Sequence, residues 1–152
     1  MREQSSIFDV ANFFLSKESM TNKKLQKLSY YAVAWIYTLR GENVAPDTEF
    51  QAWRHGPVSP ELYDRYKEYG YRSIPSVAED FSKFSSEELD LLESVWYTYG
   101  DQTGNSLEAL THTEDPWKHT FRPDADNRCK EPIPMDLMRN FYSSILIEED
   151  DC

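Results

Sequence analysis

The segment from Thr21 to Gly41 constrains the fold most, because its apolar residues recur at alternating intervals of three and four positions. Residues with that spacing share one face of an α-helix. The residues of this face are Leu25, Leu28, Ala32, Trp35 and Leu39. Met20-Thr21-Asn22 supplies an N-cap and Gly41 a C-cap, so the sequence predicts a long second helix between them.

Cap residues mark further helices along the chain. Ser6 and Ser85 each begin a capping box, and Ser59 precedes a proline at the first position of a helix. Gly70 and Gly100 end two of these segments. Helices are predicted over about residues 6–17, 23–40, 60–69, 86–99, 105–111 and 134–147.

The remaining segments predict little regular structure. Residues 49–54 alternate in polarity, which indicates a short edge strand. The other predicted segments are an irregular stretch over 71–84, a turn opened by Asp115-Pro116, a proline-rich connector over 122–134 and an acidic tail over 148–152. The fold class is therefore mainly α. We expect residues 1–152 to form one compact helical bundle, with a small β element before the Gly56-Pro57 turn.

Composition excludes several classes of function. The 152 residues include 16 basic and 27 acidic side chains, a net charge of −11. Such a surface repels phosphate backbones, so neither nucleic acid nor an anionic membrane is expected as a partner. A basic protein is the expected partner. The longest apolar run has ten residues, too few to cross a bilayer. Two widely separated cysteines and no signal peptide suggest a cytoplasmic protein.

No catalytic motif is recognisable. The five glycines form neither a phosphate-binding loop nor a dinucleotide-binding fingerprint. The nearest candidate for a metal site is His112 with Glu114, Asp115 and His119, but a helix end explains these residues better, with Asp115 as the next N-cap. Cys129 lies beside two cationic residues that favour a thiolate, although no histidine is placed near it. We therefore expect a binding protein without enzymatic activity, cofactor or metal.

Two clusters of charged residues are interpreted as solvated helix faces. Lys23, Lys24 and Lys27 are expected on the polar face of the second helix. The acidic residues Glu87, Glu88 and Asp90 suit the first turns of a helix and also form a patch that complements a basic partner. The four tryptophans, at positions 35, 53, 96 and 117, are expected to belong to the core.

Four motifs in order along the chain resemble one family. They are Lys24-Leu25-Gln26-Lys27-Leu28-Ser29-Tyr30-Tyr31, Ala52-Trp53-Arg54-His55-Gly56-Pro57-Val58, Leu110-Thr111-His112 and Asp115-Pro116-Trp117. Their series resembles the Panacea domain of SocA-like antitoxins and phage-associated GepA-like proteins, over about residues 7–121. Leu25, Leu28, Tyr31, Trp35 and Trp117 are the matching residues that we interpret as structural.

The resemblance implies a mainly helical antitoxin that neutralises a toxin encoded beside it by direct protein–protein binding. One branch of the family instead implies an adaptor that delivers its toxin to an ATP-dependent protease, and this alternative stays open. A small metalloenzyme that uses His112 and neighbouring acids is a third hypothesis.

The Gly56-Pro57 motif also has a physical interpretation. Glycine permits a positive φ, so the pair makes a tight, rigid turn after an aromatic strand. Trp53 is expected to anchor the strand against the helices, while Arg54 and His55 project outward. Together with Gly56 and Pro57, these three residues are the expected partner interface at the turn. The alternative is that the turn only seats the following helix.

Overall fold

The computed structural model describes residues 4–122 and 130–150, with residues 147–150 described by their backbone alone. Seven α-helices dominate these residues, which confirms the mainly α prediction. The helices are Ile7–Lys17 (α1), Asn22–Arg40 (α2), Pro60–Tyr66 (α3), Ser86–Tyr99 (α4), Gly104–Thr113 (α5), Asp115–Thr120 (α6) and Met135–Asp150 (α7).

Helix α2 is the centre of the fold, and α1, α4, α5 and α7 all pack against it. The Thr21 hydroxyl accepts the N–H of Lys24 at its beginning, and Gly41 ends it in the left-handed conformation with φ 70°. The predicted second helix is therefore confirmed. Its apolar face is shorter than expected, because Leu39 is 46% exposed. The side chains of Leu25, Leu28 and Tyr31 are completely buried.

Two small antiparallel sheets brace the helices. One pairs Met20–Thr21 (β1) with Ser73–Ile74 (β4), and the other has the order Gly56–Val58 (β3), Gln51–Trp53 (β2) and Glu131–Pro132 (β5). The prediction of an edge strand was wrong, because β5 pairs with the free side of β2 and makes it the central strand. The irregular segment and the connector each contain one of these strands.

The region after α5 differs from the prediction. Asp115-Pro116 begins a short helix, α6, rather than a turn. The N-cap position belongs to Glu114 and not to Asp115. Glu114 makes no side-chain cap, because its carboxylate turns inward and accepts the hydroxyls of Tyr31 and Tyr142 at 2.8 Å each. Helix α7 continues to Asp150, so the first three residues of the predicted tail are helical.

Burial also corrects two expectations. Lys27 is 1% exposed and lies in the interior, not on a polar helix face, whereas Lys23 and Lys24 are half-buried. All four tryptophans are half-buried: Trp35, Trp96 and Trp117 pack against the main hydrophobic core as expected, whereas Trp53 stands apart from it. Within the described ranges, no helix combines the length and the apolar character that a bilayer crossing needs.

Candidate protein-binding site

The β2–β3 hairpin presents two charged side chains on a very short turn. Trp53 pairs with Gly56 across the hairpin, and the turn residues Arg54 and His55 are exposed. Gly56 has φ 106°, which an L side chain rarely adopts. A Cβ atom at this position would also lie 3.0 Å from the Thr111 hydroxyl of α5. The turn therefore needs glycine for both its conformation and its close approach to the helices.

Helix α2 holds the hairpin from beneath by buried hydrogen bonds. The Gln26 amide pairs twice with the backbone of Ser59: its Oε1 accepts the N–H at 2.8 Å, and its Nε2 donates to the carbonyl at 3.1 Å. Lys27 Nζ donates to the Pro57 carbonyl at 3.2 Å. Bonds of this kind fix the hairpin, since breaking one leaves a buried polar group without a partner.

A stack of rings supports the other side of the hairpin. Trp117 Nε1 donates to the Trp53 carbonyl oxygen at 2.6 Å. Its ring lies between His112, with centroids 3.9 Å apart, and Phe121, with centroids 4.6 Å apart. Trp117 thus positions β2 through α6, and His112 takes part as a stacked ring. Burial lowers the pKa of His112, although Glu108 and the Arg54 backbone oppose that shift.

Trp53 itself lies on the rim of the hairpin. Its ring contacts Tyr63 of α3 edge-on, with centroids 5.1 Å apart, and its Nε1 donates to Gln51 Oε1 at 2.8 Å. Lys130 Nζ lies 5.2 Å from the centre of the same ring. A large aromatic side chain that is fixed and half-exposed is a common energetic centre of a protein interface.

One carboxylate organises the basic side chains near the turn. Glu108 of α5 lies 2.7 Å from Lys23 Nζ through Oε1 and 3.4 Å from His55 Nδ1 through Oε2. Burial raises the pKa of Glu108, but the hydrogen bonds from Lys23 and His55 outweigh it and hold that pKa below its usual value. Glu108 therefore neutralises part of the positive charge beneath the hairpin.

The residues that suggested a metal site do not converge. His112 stacks on Trp117, the Glu114 carboxylate is directed at two tyrosines, and His119 Nε2 lies 3.5 Å from Asp115 Oδ1. Among the described residues, no group of three histidine, cysteine or acidic side chains could hold a metal ion. Cys129 lies outside the described residues.

The Glu114 cluster is a buried polar network that joins three helices. Tyr30 of α2 hydrogen-bonds Tyr142 of α7 at 3.1 Å, and Tyr31 stacks on Tyr99 of α4 with centroids 4.1 Å apart. Burial raises the pKa of Glu114, and the hydrogen bonds from Tyr31 and Tyr142 only partly oppose it. Since Tyr30, Tyr31, Glu114 and Tyr142 are buried, the hydrogen-bonded part of this network positions the helices and offers no surface to a partner.

The predicted acidic patch lies away from the hairpin. Glu87 and Asp90 are exposed on α4, whereas Glu88 caps its own helix by accepting the Ser85 N–H at 2.8 Å. Glu87 lies near Arg40, whose pKa is raised by its hydrogen bond with Glu42 and by the charges of Glu87 and Glu88. The hairpin instead rests on Lys27, which precedes Arg40 by thirteen residues in α2. The hairpin and the acidic patch therefore lie about 20 Å apart along the axis of α2.

Sequence reasoning missed the side chains that support the hairpin from the interior. Gln26 and Lys27 belong to the first of the four sequence motifs, but helical periodicity assigned Lys27 to a solvated face and gave Gln26 no role. No helical periodicity signals their burial, because the contacts that enclose them, with Ser59 and Pro57, are tertiary. Asn22 and Glu108 carried no signal in the sequence, since only the fold brings them to the hairpin.

Comparison with known proteins gives one family. The family model described as antitoxin SocA-like, Panacea domain, matches residues 25–118. This match begins in α2 and ends in α6, and it includes the hairpin together with Trp117. The predicted resemblance is thereby confirmed. Neither the curated proteins nor the solved structures give a match.

Proposed function

This chain belongs to the family of SocA-like antitoxins with a Panacea domain, and from that membership we propose that it neutralises a cognate protein toxin. Neutralisation occurs by direct binding and requires no catalytic step. The family indicates the antitoxin role. The binding mode and the surface are our proposal.

The β2–β3 hairpin is the observation that carries the binding mode. It exposes Arg54 and His55 and half-exposes Trp53, while its backbone is fixed from beneath by Gln26 and Lys27. Arginine and tryptophan are the residue types most often responsible for binding energy. A turn that is already fixed loses little conformational entropy when a partner docks, so more of the contact energy remains as affinity.

Charge supports a basic toxin. The chain carries a net charge of −11, and Glu87 and Asp90 are exposed on α4, away from the hairpin. An exposed field of this sign accelerates the approach of a positively charged protein more than it strengthens the final complex. We assign the hairpin to docking and the acidic patch of Glu87 and Asp90 to the rate of encounter.

The decisive experiment expresses the open reading frame adjacent to this gene, alone and together with this chain. We expect the neighbour to arrest growth alone and to be tolerated when the chain is present, with the two proteins forming a stoichiometric complex after purification. A neighbour that is harmless, or one that still arrests growth in the presence of this chain, contradicts the antitoxin role.

A second arm repeats the co-expression in strains that lack individual ATP-dependent proteases. Direct neutralisation predicts that the rescue survives every deletion. Loss of rescue in one deletion strain, with the toxin accumulating there, contradicts direct neutralisation and identifies a protease adaptor.

A further inference from the structure

A cavity of about 510 Å³ opens beside the hairpin. Its volume is in the range of cavities that bind small groups. Its walls come from the beginnings of α2 and α5, from the hairpin and from the loop at Gly70 and Tyr71. Trp53, Val58 and Tyr63 give it an aromatic and aliphatic side.

Two buried polar groups that line this cavity lack full sets of partners. Lys27 is 1% exposed and has one hydrogen bond among the described residues, to the Pro57 carbonyl. An ammonium group carries three donors, so two remain available. Asn22 is 8% exposed, and its Oδ1 accepts no hydrogen bond from any residue that the structure describes. Buried polar groups without partners are rare, and each one in a folded protein calls for an explanation.

The field in the cavity favours an anion. The first turns of α2 and α5 both line it, and they lie in contact, since a Cβ on Gly104 would be 3.1 Å from the Lys24 backbone nitrogen. Helix N-termini carry partial positive charge. Glu108, the carboxylate whose charge acts on Lys27, is engaged by Lys23 and His55, and within the described part of the chain no acid forms an ion pair with Lys27.

We propose that the cavity receives an acidic side chain of the protein toxin, whose carboxylate accepts hydrogen bonds from Lys27. A backbone N–H of the same toxin segment donates to Asn22 Oδ1. The methylene groups of the acidic side chain pack against Trp53 and Tyr63. The inference rests on the proposed function, because it names the group by which the toxin is recognised.

A protein side chain suits this cavity better than a free anion. Trp53 and His55 belong both to the cavity wall and to the exposed hairpin, so a ligand in the cavity is continuous with the proposed interface. Tyr71 on the rim is fully exposed, as expected of an aromatic residue that a partner covers. One acidic side chain is compatible with a toxin that is basic overall, since the acidic patch of α4 lies elsewhere.

The test titrates the full chain with acetyl-Gly-Glu-Gly-amide and follows the indole N–H of Trp53 by NMR. The matched probes are acetyl-Gly-Gln-Gly-amide and inorganic phosphate. We expect saturable shifts with the glutamate peptide and at least tenfold weaker binding of the glutamine peptide. Lys27→Met should abolish the response to the glutamate peptide. Lys118→Met, a control at an exposed lysine outside the cavity, should retain it.

Three results overturn the inference: no saturable response to the glutamate peptide, equal binding of the glutamine peptide, or tighter binding of phosphate than of the glutamate peptide. The folded state of each variant is checked by the dispersion of its amide resonances. Toxin rescue is measured separately. Rescue by the wild-type chain without peptide binding refutes the cavity while the antitoxin role stands, and peptide binding without rescue refutes the antitoxin role alone.

Discussion

A Cβ atom on Gly56 would lie 2.8 Å from Cε of Lys27, so the hairpin turn and the buried lysine occupy directly adjoining space. Only glycine, which has no side chain, allows the turn to approach α2 this closely. The exposed residues of the turn and the polar groups of the interior are therefore parts of one arrangement. A substitution in the turn should therefore affect the environment of Lys27, and a substitution of Lys27 should affect the turn.

Gly56→Ala should destabilise the protein by about 2–4 kcal/mol, because it adds a side chain at φ 106° and brings it against Lys27 and Thr111. Urea unfolding measures the change. Gly70→Ala is the matched control, since Gly70 also has a positive φ of 57° but nothing lies within 4 Å of its Cβ position. We expect the control to lose less stability, about 1–3 kcal/mol, because it carries the backbone strain of a positive φ without the crowding. Equal losses would show that crowding at Gly56 is unimportant.

Lys27→Met should stabilise the protein at pH 7. Burial lowers the pKa of Lys27 from 10.5 to about 7, opposed by Glu108 and assisted by Lys23. Holding the charged form in the interior at neutral pH therefore costs roughly 5 kcal/mol. The variant loses the hydrogen bond to Pro57, which is worth about 1–3 kcal/mol. A gain of roughly 2–4 kcal/mol in urea unfolding is the net expectation, and a loss of stability would contradict the buried-charge argument.

The stability of the wild-type chain relative to Lys27→Met should rise with pH. The folded-state pKa is about 7 and the unfolded value is 10.5, so between these values the unfolded chain binds more protons. The difference in unfolding free energy should thus shift in favour of the wild type by roughly 1.4 kcal/mol per pH unit. Urea unfolding of both proteins at pH 7.5 and 9 measures it. A difference that stays constant would place Lys27 in contact with water.

Glu114→Gln should change the pH dependence of stability in the opposite sense. The pKa of Glu114 is raised by burial, so the folded state binds the proton more tightly than the unfolded chain does. The wild type should lose stability relative to the variant as pH rises from the usual value of 4.5 through the folded-state pKa. Thermal unfolding of both proteins from pH 4 to 8 tests this. A parallel pair of curves would contradict the raised pKa.

Local signals predicted most of the fold. The capping boxes at Ser6 and Ser85 and the glycine at position 41 fixed helix ends, because caps are short-range hydrogen bonds that depend on nearby residues. Long-range pairing was not accessible in this way. The placement of β2 at the centre of its sheet depends on Glu131, which is distant in sequence and meets Ala52 only in the folded chain.

The candidate site was predicted only on its outer side. Arg54, His55 and Gly56 indicated a turn through local chemistry, and the structure places the first two on the surface. The interior of the site escaped prediction, because an amphipathic pattern assumes that charged residues face water. Lys27 departs from that pattern through a tertiary contact with Pro57, and no periodicity encodes such a contact.

Reversing Glu87 and Asp90 to Lys should slow association with the toxin at low salt and weaken the salt dependence of the association rate. Steering by exposed charge is screened beyond about 8 Å at physiological ionic strength, so the effect should fade as salt is added. Glu88 stays unchanged, because its carboxylate caps α4. Stopped-flow association of the purified pair at two salt concentrations measures the rates.

The control for this reversal changes Glu68 and Asp101 to Lys, two exposed acids that alter the net charge equally. If both pairs slow association alike, steering belongs to the whole molecule rather than to the acidic patch. If neither pair has an effect, the charge serves solubility and does not guide the toxin.

Arg54→Ala and Trp53→Ala should instead accelerate dissociation of the complex at every salt concentration, because they remove contacts made after docking. Trp53 is half-exposed, so its loss should cost less stability than the roughly 3–5 kcal/mol typical of a buried aromatic residue. Surface-plasmon measurements give the off-rates, and urea unfolding gives the stability. Arg65→Ala, at an exposed arginine on α3 that stacks on Phe8, is the control and should leave dissociation unchanged. If both hairpin variants dissociate at the wild-type rate, the hairpin does not belong to the interface and serves only to position α3.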